Sequence, residues 1–391
     1  MSVVLTGTWN YPTRILHGPG RVADLADACP ALGIKRPLLV TDAGLKSAPI
    51  TTRARDVLVA AGMDAPIFAD IKSNPVGANI DAGVAVYRAG GHDGVIAFGG
   101  GSGLDAGKAI AFMAGQTRPI WDFEDIGDWW TRANPDGIAP IVAVPTTAGT
   151  GSEVGRASVV LNEASHEKKI IFHPKMMPGI VISDPELTVG LPAPVTAATG
   201  MDALTHCFEA YCAPGFHPQA DGIALEGLRL IADYLPRACA NGADIEARSR
   251  MLAAASMGAA AFQKGLGAVH AISHPVGALY DTHHGLTNAI VLPYVMVHNR
   301  DAIAEKCARI ARMLELSDPG FDALLAWVLA LRKELGIPNT LQEIGVGAER
   351  AAEIGRFAEA DPSAGGNPVE VKAPALERIF RAAVSGRLDD A

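Results

Sequence analysis

The sequence predicts two halves of different class, an α/β domain on a parallel sheet followed by an all-helical domain. Three observations carry this: apolar runs alternating with helix-like stretches up to about Pro192, long Ala- and Leu-rich segments after it, and prolines crowded at the changeover. The runs are PLLVTD (37–42), PIFADI (66–71), GVIAFGGG (94–101), PIVAVPTT (140–147) and GIVISDP (179–185). Their alternation with helical pattern is the grammar of βαβ units. Because they are almost continuously apolar, both faces of each strand must be covered, as in a parallel, doubly wound sheet. Ligands of such sheets sit at the carboxyl ends of the strands. After Pro192, segments such as VTAATGMDALTHCFEAYC, ADGIALEGLRLIADYL and FDALLAWVLALRKEL read as helices. Pro185, Pro192 and Pro194 place the boundary so that the domains are 1–191 and 192–391.

A chain of 391 residues, 49% hydrophobic and 19% charged, can bury a large core and fits two domains. Its net charge of -9 argues against nucleic acid or an anionic membrane as partner, since both are bound through clustered Lys and Arg. The opening MSVVLTGTWNYPTR lacks a charged leader followed by an apolar run, and no segment reaches the apolar length of a membrane span, so a cytoplasmic location is expected. The five cysteines (Cys29, Cys207, Cys212, Cys239, Cys307) are scattered and form no CxxC pair. They read as reduced thiols rather than as a disulfide framework or a zinc site.

The stretch GVIAFGGGSGLDAGKAIAF sets Gly99, Gly100, Gly101, Ser102 and Gly103 between an apolar strand and a helix expected to begin near Leu104. Glycines let main chain approach an anion, and the N–H groups of a helix start bind negative charge. Gly101, Gly103 and Ala106 match GxGxxG/A, but the acidic residue expected about 20 residues later is missing. Asp42, at the end of an upstream run, can take that role on a ribose hydroxyl, in an order of parts that is not the usual one. A Walker reading fails because Ala109 follows Gly107-Lys108. A second loop, PTTAGTGSE (145–153), offers Thr146, Thr147, Thr150 and Ser152 after another strand. Two such loops together favour nucleotide binding.

In the second half, Asp202 and His206 lie four apart in a helical stretch and share one face. Four of the eleven histidines (His270, His274, His283, His284) crowd into GAVHAISHPVGALYDTHHG, where Pro275, Gly277 and Gly285 suggest a helix that breaks and turns back. Three imidazoles and one carboxylate make a mixed site suited to Fe(II) or Zn(II). Spacing alone leaves open which three histidines take part, and whether the ion acts on water, as in a hydrolase, or on an alcohol.

Four long motifs, GGGSGLDAGK, PTTAGTGSEV, DPELTVGLP with GMDALTHCFE, and HAISHPVGALYDTHHGLTNA, give the chain a resemblance to the iron-containing (group III) alcohol dehydrogenases over nearly its whole length. The resemblance implies a dehydroquinate-synthase-like fold, with an N-terminal dinucleotide-binding domain and a helical C-terminal domain flanking the active site. It implies metal ligation by Asp202, His206, His270 and His284, with Fe(II) ahead of Zn(II), and makes His274 the candidate proton relay, a task imidazole suits near neutral pH. It gives NAD as cofactor, contacted by residues matching Asp42, Asn74, Gly100, Gly101, Ser102, Asp105, Thr146, Thr147, Thr150, Lys168 and Leu187. A carboxylate at Asp42 accepts ribose hydroxyls and repels a 2'-phosphate.

The implied activity is reversible oxidation of small primary aliphatic alcohols, diols or hydroxy acids by a homo-oligomer, a dimer by analogy. A polyol dehydrogenase or lyase of the same fold, a metal-dependent hydrolase and a non-catalytic binding protein are the alternatives. The chain departs from the family pattern at His283, often Pro, at Gly103, also often Pro, and at Gly155 and Ala157, where relatives carry Thr or larger residues. Lys108 reads as a solvated charge on its helix, His283 as a solvent-facing neighbour of the ligands, and Trp129 with Trp130 as a pair pinning a loop to the surface.

Overall fold

The computed structural model describes residues 7–9, 12–165 and 167–391. The opening stretch read above for its lack of a leader therefore lies mostly outside the described residues. The chain divides into two compact units, Met1–Gly190 and Leu191–Ala391.

The first unit carries a sheet of seven strands, β1 (Gly7–Trp9), β2 (Arg14–His17), β3 (Pro37–Val40), β4 (Ile67–Phe68), β5 (Gly94–Gly99), β6 (Ile141–Pro145) and β9 (Ile180–Ser183). Strands β7 (Ala157–Asn162) and β8 (Glu167–Phe172) form a separate antiparallel hairpin. The sheet order is β1-β2-β9-β6-β5-β3-β4, parallel throughout except where β1 pairs with β2. The five apolar runs of the sequence are β3, β4, β5, β6 and β9. Of these, β3, β5, β6 and β9 are buried along their whole length, as two covered faces require. Each of Val95, Ile96 and Phe98 contributes about 1.5–3 kcal/mol by leaving water.

Four strands were not anticipated. β1 and β2 are too short to show periodicity, and the hairpin mixes charge with apolar residues in EKKIIF, leaving most of β8 only partly buried.

Helices α1 (Leu25–Ala31), α2 (Pro49–Ala60), α3 (Gly77–Ala89) and α4 (Gly101–Met113) complete this unit. The chain runs from β3 to β4 at the sheet edge, returns across β3 to β5, and continues to β6. Strand order therefore reverses between β3 and β5, which opens a crevice at their carboxyl ends. Helix α4 lies close on β5: a Cβ on Gly107 would come within 2.6 Å of the Ala97 Cβ.

The second unit contains α5 (Ala193–Cys212), α6 (Pro218–Ala240), α7 (Ile245–Ala261), α8 (Ala268–Tyr280), α9 (His284–His298), α10 (Arg300–Met313), α11 (Phe321–Glu334), α12 (Ala351–Ala360) and α13 (Ala373–Ser385). No strand occurs among its described residues. α5 is buried on nearly every side from Thr196 to Cys212, as its mostly apolar sequence demands, so it forms the middle of the unit. Small residues bring its neighbours in close. A Cβ on Gly258 of α7 would meet the His206 Cβ at 3.1 Å, and one on Gly285 of α9 would lie 2.4 Å from the Ala198 carbonyl oxygen and 3.0 Å from the Asp202 Cβ.

No helix among the described residues is long and apolar enough to cross a membrane. All five cysteines are free thiols, four of them buried, and burial pushes Cys29, Cys207 and Cys307 up to about 12, which keeps them inert.

Candidate functional site

Helices α5, α8 and α9 bring the predicted Asp and His residues together. Asp202 and His206, one turn apart on α5, face His270 on α8, and the three ligand atoms lie within 4.8 Å of one another. His284, the first residue of α9, joins them because Gly285 seats that helix against Asp202. From Asp202 Oδ1 the Nε2 atoms of His206, His270 and His284 lie at 3.9, 4.0 and 3.7 Å. Four donors bound at about 2.1 Å to one tetrahedral ion would stand about 3.4 Å apart, so the observed spacing needs an inward adjustment of only about half an ångström. The set fits a divalent ion in geometry and in donor chemistry, nitrogen with one carboxylate oxygen.

A residue the spacing argument did not single out supports this cage. Glu209 lies seven positions beyond Asp202 on the same face of α5. Its Oε2 accepts a hydrogen bond from His270 Nδ1 at 2.6 Å, and its Oε1 accepts one from the Val269 N–H at 2.8 Å. Since an ionised carboxylate can only accept, His270 carries its proton on Nδ1 and turns the lone pair of Nε2 into the cage. The same carboxylate supplies the cap that Gly267, lacking a side chain, cannot give to α8, with Asn367 Oδ1 holding the Ala268 N–H at 3.2 Å. Burial disfavours a charged His270, yet Glu209 and Asp202 outweigh it and hold the imidazole above its ordinary value. Surroundings that favour a charged imidazole also favour a metal cation.

His274, one turn beyond His270, is not in the cage, although its ring stacks on that of His284 at 5.4 Å. Its Nδ1 donates to Asp361 Oδ2 at 2.7 Å, which leaves Nε2 as the acceptor nitrogen. Burial pushes the Asp361 carboxyl up, but His274 and the hydrogen bonds of Ser363 overcome this and keep it below its ordinary value. His283 stays outside: it is exposed, and its Nδ1 caps α9 by accepting from the Leu286 N–H at 3.3 Å. The chain turns not at Pro275, which lies inside α8, but at Asp281, whose φ of 53° ends the helix in the left-handed region.

In the first unit, the loops after β3, β5 and β6 gather at the switch point. β3 ends at Val40, so Asp42 stands beyond the strand, with its Oδ1 accepting from the Leu45 N–H at 3.1 Å. Gly99 (φ 138°) turns the chain as only glycine readily does, and a Cβ placed on it would lie 3.6 Å from Asp42 Oδ2. α4 starts three residues earlier than expected, at Gly101, because the extended Gly100 already offers its carbonyl to the Leu104 N–H at 3.0 Å. The N–H groups of Gly101, Ser102 and Gly103 thus have no acceptor within the helix, an arrangement able to bind an anion.

The PTTAGT loop leans on this turn. The Thr146 N–H donates to the Gly99 carbonyl at 2.9 Å, a Cβ at Gly100 would crowd Thr147 at 3.2 Å, and one at Gly101 would collide with Thr150 Oγ1 at 2.6 Å. Ser102 Oγ donates to the Ser73 carbonyl, next to Asn74. Lys168 sits on β8 opposite Leu161, whose N–H donates to the Pro75 carbonyl at 2.8 Å, so the hairpin is tied to the same segment.

Two predicted residues have other company. Leu187 is packed in the apolar core with Leu39, Ile96 and Val144, so any contact to a ligand falls to its main chain. Asp105 is engaged within the protein, its Oδ1 accepting from Ser152 Oγ at 2.5 Å and its Oδ2 from the Val159 N–H at 3.1 Å.

Lys108 corrects the reading of a solvated charge. It is 1% exposed, and its Nζ donates to the carbonyls of Ser152 and Ala157 and lies 3.4 Å from Asp105 Oδ1. The ammonium ties α4 to the PTTAGTGSE loop at Ser152 and to the start of β7 at Ala157. Burial lowers Lys108 from its ordinary value and raises neighbouring Glu153 to about 7. Gly155 and Ala157 border this ammonium. Trp130 packs edge-on against Phe172 and His173, and Trp129 lies under Arg132, so the pair anchors its loop.

The model of the iron-containing alcohol dehydrogenase family matches residues 12–185, and that of the family's C-terminal part matches residues 196–384. The chain is 40% identical to the 4-hydroxybutyrate dehydrogenase of Cupriavidus necator over 380 residues, 95% of this chain and 98% of that protein. It is 35% identical to the NAD-dependent methanol dehydrogenase of Bacillus methanolicus over 380 residues, 95% of this chain and 98% of the relative. The crystal structure of a 1,3-propanediol oxidoreductase matches with a TM-score of 0.90 at 37% identity, covering 94% of this chain and 97% of that one. A sulfoacetaldehyde reductase from Bifidobacterium kashiwanohense, solved with NAD+, matches with a TM-score of 0.86 at 30% identity over 98% of this chain and 100% of that one.

Proposed function

Because this chain belongs, in both of its units, to the iron-containing alcohol dehydrogenase family, we propose that it oxidises the primary hydroxyl of a small hydroxy acid, diol or aliphatic alcohol to the aldehyde with NAD, and runs in reverse as an aldehyde reductase. The single observation that carries the chemistry is the cage of Asp202, His206, His270 and His284 with Glu209 behind it. A hydrolase reading leaves the glycine loops at the switch point without a role.

A divalent ion held by these four residues would supply Lewis acidity toward the alcohol oxygen, while bound NAD supplies the hydride acceptor. Glu209 keeps His270 in the tautomer that ligation needs. His274, whose Nε2 is the accepting nitrogen, would take up the hydroxyl proton, and Asp361 would stabilise the imidazolium through Nδ1. The N–H groups of Gly101, Ser102 and Gly103 would hold the pyrophosphate, with Thr146, Thr147 and Thr150 beside it, and Asp42 would accept from the adenosine ribose hydroxyls. Asn74 and Lys168 contribute from the neighbouring segment, Asp105 fixes the loop, and Leu187 offers main chain.

Fe(II) is the first choice of metal from the family, and Zn(II) suits the same donors. A cytoplasmic homo-oligomer, a dimer first, accords with the free buried thiols and with analogy.

The test is a panel of short primary alcohols, diols and ω-hydroxy acids with NAD and NADP after separate loading with Fe(II) and Zn(II), followed by reduced-cofactor absorbance. We expect ω-hydroxy acids and diols to lead, and NAD to surpass NADP by roughly tenfold or more in kcat/KM. Binding of NADH without turnover of any alcohol or aldehyde in the panel would refute the proposal.

A further inference from the structure

Asn288 lies one turn beyond His284 on α9 and is fully buried. Its Nδ2 is 2.7 Å from Asp202 Oδ1, 3.1 Å from His270 Nε2 and 3.1 Å from His284 Nε2. An amide nitrogen has two hydrogens, so it cannot satisfy three acceptors at once. Its Oδ1 is buried without a hydrogen-bond partner among the described residues, a costly arrangement for a carbonyl. The amide thus caps one face of the cage by an end that suits it poorly, and leaves idle the end that binds cations.

A cation on Asp202, His270 and His284 lies about 2.0–2.2 Å from each of those atoms. N–H groups pointed at the same face would meet it with like partial charge. Rotation of the amide about its last side-chain bond exchanges the two ends at almost no steric cost, since the nitrogen and oxygen are nearly the same size. That one motion removes the repulsion and gives the orphaned oxygen a partner. Resting on the reading of the four ligands as a divalent metal site, we propose that Asn288 belongs to that site as a metal-responsive residue. Its N–H end bridges the ligands when they hold no ion, and its carbonyl oxygen turns to the ion when they do. Metal affinity therefore includes the difference between these two amide positions, and the four-residue ligand set is incomplete.

Three proteins test this, the wild type, Asn288→Leu and Asn288→Asp, each stripped with chelator and titrated with Zn(II) and Co(II) against a competing chelator of known affinity. Thermal unfolding is followed with and without metal. Asn288→Leu, which keeps the volume and removes both polar ends, is expected to bind metal 10–100-fold more weakly, the range seen when a group supporting a metal site is lost. The Co(II) absorption should change in intensity as an oxygen leaves its surroundings. Asn288→Asp puts a second carboxylate against Asp202. It should lower the melting temperature of the stripped protein through like-charge repulsion, bind metal at least tenfold more tightly, and so show a wider gap between loaded and stripped melting temperatures.

If Asn288→Leu does not fold, the aspartate variant decides alone. Affinities within twofold of wild type in every folded variant, with an unchanged Co(II) spectrum, overturn the role of Asn288. Failure of the wild type itself to bind Zn(II) or Co(II) overturns instead the metal site on which it rests.

Discussion

In the first unit the candidate site is made of main chain: the N–H groups at the start of α4, a glycine turn after β5, and a threonine loop braced by a buried lysine. In the second it is made of side chains, four imidazole and carboxylate groups aimed inward from three helices and steadied by Glu209, with His274 beside them held by Asp361. Main chain binds an anion wherever glycine allows approach, with little regard for which side chains flank it. Side chains bind a cation only when each donor is correctly placed and its ligating atom is deprotonated. The second site should therefore be brittle to single substitutions and the first tolerant, and losses at one should leave binding at the other intact.

The largest expected break is His270→Ala. Removing a nitrogen donor should cut metal affinity and turnover by roughly 10³-fold or more while NADH affinity stays within about twofold, read by metal analysis, turnover and fluorescence titration. If cofactor affinity falls in parallel, the independence of the two sites is wrong. Glu209→Gln sharpens the contrast, because the residue is no ligand yet sets the His270 tautomer. Metal affinity should fall about 10–100-fold, the usual cost of losing such a partner.

On the first unit, Asp42→Ser should leave turnover with NAD nearly intact while narrowing the preference over NADP by about tenfold, since only the carboxylate opposes a 2'-phosphate. An unchanged preference would detach Asp42 from the ribose.

The smallest effect concerns the brace. Burial raises Glu153 from 4.5 to about 7, so the fold prefers the protonated acid. That preference stabilises the first unit fully below about pH 4.5 and is lost as pH rises through 7, with an upper bound of about 3 kcal/mol. Glu153→Gln, neutral at every pH, should match the wild type in acid and unfold a few degrees higher above pH 7. Parallel melting curves across that range would show that Glu153 does not titrate there.

Particular residues show what the sequence could and could not disclose. The strands β3, β5, β6 and β9 were legible because burial on two faces leaves unbroken apolar runs, and Asp202 with His206 because a helix repeats every turn. Glu209 continues that periodicity and Asn288 repeats it from His284, so both were visible in principle, once acid and amide groups beside ligands are treated as part of a site. Asp361 was not, for it reaches His274 across 87 positions with no periodic link. Lys108 was misread because exposure of a lysine is a habit of surfaces, and no local pattern shows that its ammonium will lie against the Ser152 and Ala157 carbonyls. The start of α4 was placed late because glycines look like loop until Gly100 is seen to open the helix.

Metal removal tests the central claim most directly. Protein stripped by chelator, then restored with Fe(II) or Zn(II), is assayed at each stage for NADH binding and for oxidation of a small primary alcohol or hydroxy acid with NAD. Turnover is expected to disappear on stripping and to return with metal while NADH binding stays within about twofold throughout. Turnover that survives complete removal of metal would contradict the claim.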